Sequence, residues 1–242
     1  MRSIHIQRHG LGPPLVLFHG WGFDSQIWLT ILPLLSKRYT LYLVDLPGFG
    51  LSALLDWPAF KTELLAQLPS QFALAGWSMG GLYATKLAIE APLCVTHLMN
   101  IASTPYFIQD ADWPGISPEL FAAFYVQLSI DSHKTLDQFL TLQLKGVSVE
   151  TPKLQMLPSV PALKAGLDIL QHWDLRDALR LLSQPVAYVF GGLDAITVRK
   201  TMPTMQALYP QFNYSVLKKA AHVPFLSHPQ EFIRVLDDFL QE

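Results

Sequence analysis

Apolar runs alternate with stretches of helical length along this chain. Leu15–Phe18, Tyr39–Val44, Phe72–Ala75, Val95–Ile101, Val186–Phe190 and Tyr214–Leu217 are rich in apolar residues, as strands are when both faces of a parallel sheet are covered. The stretches between them are long enough for crossover helices. The expected fold class is therefore α/β, with a mostly parallel central sheet flanked by helices. From Tyr106 to Leu182 the character changes: aromatic and leucine spacing reads helical, and no strand is convincing. We read this stretch as an inserted helical cap, entered through Pro105 and left before Pro185. The expected organisation is core over residues 1–105, cap over 106–182 and core again over 183–242, without internal repeats or low-complexity tracts.

Composition narrows the classes. Half of the 242 residues are hydrophobic, enough for one large core plus a small insertion. Seventeen basic residues against nineteen acidic ones leave a formal charge of −2. That balance gives no global field for nucleic acid or an anionic membrane, and neither is expected as a partner. The opening MRSIHIQRHG lacks the apolar stretch of a secretory signal, and no later segment approaches the roughly 20 apolar residues of a spanning helix. A soluble cytoplasmic protein, acting as a monomer, is the expectation. Cys94 is the sole cysteine, which excludes internal disulfides and cysteine zinc clusters and reads as a packed thiol. No metal or cofactor is expected.

The segment "LAGWSMGGLY", Leu74–Tyr83, carries the most specific chemistry. Ser78 follows an apolar strand and precedes LYATKLAIEA, where Leu82, Thr85, Leu87, Ala88 and Ala91 give a helix an apolar face. Strand, sharp turn and helix are the context in which a nucleophilic serine is presented, and Gly76 and Gly80 let strand and helix backbones come close. A G-x-S-x-G string arises by chance on the order of 0.1 times in a chain of this length. A serine hydroxyl needs a base, and the base an orienting carboxylate. Asp194 follows a strand in "VFGGLDAIT" and His222 follows the last strand in "LKKAAHVPFLSHP". The competing roles are a turn-forming aspartate and a half-buried loop histidine. His228, in "SHPQEF", reads as a helix start, and Asp56 is assigned a structural role. An oxyanion hole needs two backbone N–H donors. Trp21, after His19-Gly20 in "LVLFHGWGF", can offer one, and Met79, just after Ser78, the other. His19 itself reads as a support of its loop, and Asp45, in "VDLPGFGLS", as a loop-fixing residue.

HGWG, D-x-P-G-x-G-x-S, GWSMGG, GGLDAIT and AAHVPF together resemble the α/β-hydrolase family. "LVDLPGFG", "DWPGI" at Asp112–Ile116, "FLTLQ" at Phe139–Gln143 and "LDIL" at Leu167–Leu170 narrow the resemblance to the carboxylesterases of biotin synthesis that act on pimeloyl-[acyl-carrier protein] methyl ester. That resemblance implies a serine carboxylesterase with acyl carrier protein as the partner bearing the ester. Ser78 would attack, His222 would carry the proton and Asp194 would hold the imidazole. It also implies a substrate pocket of Trp21, Ser78, Met79, Phe139, Leu140, Thr141, Leu142, Gln143 and His222.

The cap departs from the family pattern, which presents arginines to an acidic carrier. From Tyr106 to Leu182 acidic residues outnumber basic ones, yet Lys134, Lys145, Lys153 and Lys164 meet only Asp137 and Glu150 in their stretch. These lysines are the expected docking charges, with Arg176, Arg180 and Arg199 as the alternative surface. Three other readings share the fold: a general short-chain carboxylesterase, a lyase using the same serine and histidine without an acyl-enzyme, and a ligand receptor with little turnover. Only an esterase gives a burst of alcohol from p-nitrophenyl esters.

Overall fold

The computed structural model describes residues 3–148, 150, 153–198 and 200–241; Arg199 lies outside them. Seven strands form one sheet: β1 Ile6–His9, β2 Pro14–Phe18, β3 Thr40–Val44, β4 Phe72–Trp77, β5 Val95–Ile101, β6 Val186–Gly191 and β7 Asn213–Leu217. Their order is β1-β3-β2-β4-β5-β6-β7. All neighbours run parallel except β1, which pairs antiparallel with β3 in the register Ile6 to Val44 and His9 to Leu41. The apolar runs locate six of these strands to within two residues. They miss β1, whose sequence IQRH has no apolar alternation because it is a half-exposed edge strand held mainly by its ladder to β3.

The helices are α1 Leu32–Leu35, α2 Trp57–Leu65, α3 Met79–Glu90, α4 Pro118–Ile130, α5 Ser132–Gln143, α6 Val160–His172, α7 Thr201–Leu208, α8 Pro224–Ser227 and α9 Pro229–Leu240. Their starts are written in the sequence. Asp56, Ser117, Asp131 and Ser159 each accept a backbone N–H of the first turn, and proline occupies the first or second position of α2, α4 and α6. One apolar cluster on one face of the sheet includes Phe18, Leu74, Leu82 and Tyr188, and a second on the opposite face includes Leu17, Trp28, Trp77 and Phe232. Helices α4, α5 and α6 all lie between β5 and β6, preceded by a tight loop bridged at Ile108–Ile116 and Asp110–Trp113. No helix among the described residues is long and apolar enough to cross a membrane.

Glu90 joins α2 to α3. Its carboxylate accepts from the Trp57 indole at 2.9 Å and from Lys61 at 2.6 Å, and pairs with Lys86 at 3.1 Å. Partial burial pushes its pKa up, but these three donors outweigh burial and hold it at about 2, against 4.5 for the free group. The charge therefore stabilises the fold fully above pH 4.5 and loses that effect as pH falls toward 2. Glu90→Gln should lower the melting temperature at neutral pH, and the gap from wild type should close as the pH drops through that window. Thermal melts at stepped pH check this; a gap independent of pH would refute it.

Candidate active site

Ser78 sits between β4 and α3 with φ 55 and ψ −120, a conformation that costs a non-glycine residue about 1–3 kcal/mol. The turn has no room for slack. A Cβ on Gly76 would lie 2.2 Å from the Gly80 carbonyl oxygen, and one on Gly80 would lie 2.5 Å from the carbonyl oxygen of His19. The strained residue is pinned on both sides: its N–H donates to the Ile101 carbonyl at 2.9 Å, and its own carbonyl accepts from Gly81 N–H at 2.9 Å and the Ser103 hydroxyl at 2.8 Å.

Asp194 stands in the turn after β6 and His222 in the loop after β7. His222 Nε2 lies 3.0 Å from Ser78 Oγ, and His222 Nδ1 lies 2.9 Å from Asp194 Oδ2. The other carboxylate oxygen accepts from the Ile196 N–H at 2.8 Å and the Thr197 N–H at 3.1 Å. Because a carboxylate only accepts, Nδ1 carries the imidazole proton and Nε2 is left to receive that of Ser78. The Trp77 indole donates to the His222 carbonyl at 2.8 Å and so ties the histidine loop to the elbow. Ser78, Asp194 and His222 are 5%, 9% and 1% exposed, so this row works in a low dielectric. The arrangement allows proton transfer from a serine hydroxyl to an oriented imidazole, the step that generates a nucleophile.

Two backbone donors beside Ser78 are unspent: Met79 follows it in the chain and Trp21 lines the same cavity. The N–H groups of Trp21 and Met79 donate to no protein acceptor among the described residues, and Met79 opens α3, where the helix dipole favours negative charge. Behind Trp21, His19 is fully buried: Leu46 N–H donates to its Nε2 at 2.9 Å and its Nδ1 meets the Gly20 carbonyl at 2.9 Å. Burial pushes its pKa down, against the pull of Asp45. Asp45 accepts from the N–H groups of Ser25 and Leu51 and thereby fixes two loops. His228 precedes α9, and Asp56 caps α2.

Ser78 opens onto a cavity of about 320 Å³. Its wall is aromatic and aliphatic, built from Trp21, Phe107, Phe121, Phe124, Phe139, Leu167 and neighbours, with Gln127, Thr135 and Gln138 as its polar members besides Ser78. Of the pocket residues expected from the sequence, Trp21, Ser78, Phe139 and Leu142 lie on this wall. Met79, Leu140, Thr141, Gln143 and His222 do not; Met79 and His222 flank Ser78 behind the wall, the one next to it in the chain and the other on its hydroxyl. A helix cannot turn five consecutive side chains to one cavity: Leu140 reaches toward Gly22, Thr141 faces solvent and bonds the Asp137 carbonyl, and Gln143 is buried against Trp21. The contributions of α4 and α6 were not anticipated. Phe121 and Phe124 in α4, with Leu167 and Leu170 in α6, carry helical spacing that signals a shared face but not what the face covers.

A family model described as the alpha/beta hydrolase family matches residues 15–235. The chain belongs to the alpha/beta hydrolase family. Among its relatives are the pimeloyl-[acyl-carrier protein] methyl ester esterases of Legionella pneumophila (strain Lens), 54% identical over 239 residues and covering 99% of this chain and 100% of the relative, and of Klebsiella pneumoniae, 42% identical over 249 residues and covering 98% and 97%. The fold of this alpha/beta hydrolase is also that of an esterase from Exiguobacterium antarcticum, with a TM-score of 0.87 at 22% identity, covering 99% of this chain and 96% of that one.

The close approach at the elbow gives a test. Gly80→Ala places a methyl group within 2.6 Å of the Phe18 carbonyl oxygen, and strand backbone yields little. The variant should lose about 1–3 kcal/mol of stability, read as a lower urea midpoint at unchanged slope. A midpoint equal to wild type would mean that the elbow has slack.

Proposed function

We propose that this alpha/beta hydrolase is a serine carboxylesterase that hydrolyses the methyl ester of pimeloyl-[acyl-carrier protein], with Ser78 as nucleophile, His222 as acid and base and Asp194 as the orienting carboxylate. The observation that carries this reading is the buried row of Ser78, His222 and Asp194 opening onto an apolar cavity, in a chain 54% identical from end to end to an esterase named for that substrate. The proposal includes a cytoplasmic monomer and a cap over residues 106–182.

The reaction follows from the geometry. Ser78 Oγ attacks the ester carbonyl carbon while His222 Nε2 takes the hydroxyl proton. The carbonyl oxygen becomes an oxyanion, and the N–H groups of Trp21 and Met79 donate to it. The tetrahedral species collapses: the bond to the methoxy oxygen breaks, His222 returns its proton to that oxygen, and methanol leaves. A water then attacks the acyl-enzyme, giving its proton to His222, and a second collapse frees the pimeloyl carboxyl group and restores Ser78. Asp194 holds the imidazole and stabilises its charged form without taking the proton. The apolar cavity suits a neutral acyl chain.

The far end of the chain must reach its carrier. Leu120, Gln127, Gln138 and Leu142 line the cavity yet are exposed, so they mark its mouth, and Lys134 stands one turn before Gln138 on α5. Lys134, Lys145 and Lys153 are exposed and form no ion pair among the described residues, which suits an acidic carrier. Lys164 instead lies 5.7 Å over the Tyr125 ring, and Arg176 is committed to Asp110 and Asp174.

Ser78→Ala should fold and lose activity by a factor on the order of 10⁶, because the members of such a row act as a unit. Wild type should release a burst of p-nitrophenol from p-nitrophenyl butyrate and methanol from the carrier-bound ester; a variant retaining a tenth of the activity would exclude Ser78 as nucleophile. Reversing Lys134, Lys145 and Lys153 together to glutamate should raise KM for the carrier-bound ester several-fold and leave p-nitrophenyl butyrate nearly untouched. Each exposed charge contributes only about 0–1 kcal/mol, so added salt should erase the difference. An unchanged KM for the carrier-bound ester would move docking to another surface.

A further inference from the structure

Gln143 ends α5 with 0% exposure, and its side chain does not touch the cavity. Its Nε2 donates to the Trp21 carbonyl at 3.3 Å, and its Oε1, equally buried, has no partner among the described residues. The opposite amide orientation would set one carbonyl oxygen against another, so the bond itself defines the assignment. A buried acceptor left without a donor lowers stability, and a methionine or leucine of similar volume would fill the same space without that penalty. An amide kept there at a stability cost points to the one bond it makes.

That bond ends on Trp21, whose N–H is one of the two proposed oxyanion donors. Trp21 is also held by its indole, which donates to the Leu163 carbonyl of α6 at 2.9 Å, and by the rings of Phe139 and Phe124, with centroids 5.2 and 5.6 Å away. The next residue, Gly22, has φ +83, where glycine meets no steric barrier. Without a restraint on the Trp21 carbonyl, the peptide between Trp21 and Gly22 can turn about this glycine, and the direction of the Trp21 N–H loosens with it. A third tether lies three residues on, where Asp24 Oδ2 accepts the Gln155 N–H at 2.6 Å. The loop carrying one oxyanion donor is thus fastened to three separate points between β5 and β6.

We propose that Gln143 is a positioning residue: by holding the Trp21 carbonyl from the end of α5, it fixes the Trp21 N–H that receives the oxyanion. This rests on the reading of Ser78 as nucleophile, which labelling of wild type by a fluorophosphonate at Ser78 tests separately. A misaligned donor weakens the transition state and leaves substrate binding alone.

The experiment compares wild type with Gln143→Met and Gln143→Leu, which keep the volume and remove the donor. With p-nitrophenyl butyrate, kcat should fall about tenfold or more while KM stays within twofold. Affinity for an alkyl trifluoromethyl ketone, which forms an oxyanion on addition of Ser78, should fall by the same factor. The melting temperature should hold or rise, because the unpaired acceptor is gone. An unchanged kcat would overturn the proposal, and so would a rise confined to KM, which would make Gln143 a substrate contact. Failure of both variants to fold would overturn it as well, since the amide would then serve the fold.

Discussion

The passage of the chain from β4 into α3 through a single residue of positive φ is the constraint on which the site depends. It requires Gly76 to pass the Gly80 carbonyl at a distance that no side chain permits, and Gly80 to lie against the backbone of β2. Those contacts bring the start of α3 beside the end of β2, and with it Met79 beside the loop that carries Trp21. The strain at Ser78 is held by the two buried clusters on either face of the sheet and by its bonds to Ile101, Gly81 and Ser103. The hydroxyl is therefore aimed before any substrate arrives.

Two buried histidines flank this turn and illustrate how partners decide reactivity. His19 spends both ring nitrogens on backbone groups, Gly20 on one side and Leu46 on the other. Burial pushes its pKa down, and its two bonds fasten a loop. His222 is as deeply buried, but its nitrogens meet a carboxylate and a hydroxyl. The same ring in the same dielectric thus braces a loop in one place and in the other has the partners that the proposed proton carrier needs.

The sheet was legible where continuous apolar runs mark strands covered on both faces, and also at the half-exposed edge strand β7, whose NYSVL keeps aromatic and β-branched residues. β1 was hidden because an edge strand needs only its backbone ladder, and IQRH carries no side-chain pattern to announce it. Ser78, Asp194 and His222 could be picked out because each follows a strand at a position marked by glycine, alanine or proline, and the structure brings them within hydrogen-bond distance. The cavity was less legible. "FLTLQ" reads as one unit in sequence, but helical geometry sends Phe139 and Leu142 to the wall and Leu140, Thr141 and Gln143 elsewhere. Tertiary contacts such as Gln143 with Trp21, 122 positions apart, leave no local trace.

The apolar lining of the cavity acts on what leaves as well as on what enters. On the proposed reading, methyl ester hydrolysis turns a neutral group into an acid that ionises in water, yet the side chains lining the cavity include no cation to receive it. Away from the two proposed oxyanion donors at Ser78, an anion in such surroundings is unfavourable relative to water. Ionisation on the solvent side therefore draws the product out and opposes its return, so the acid should be a poor inhibitor of its own formation. The turnover has a direction built into the polarity of its container.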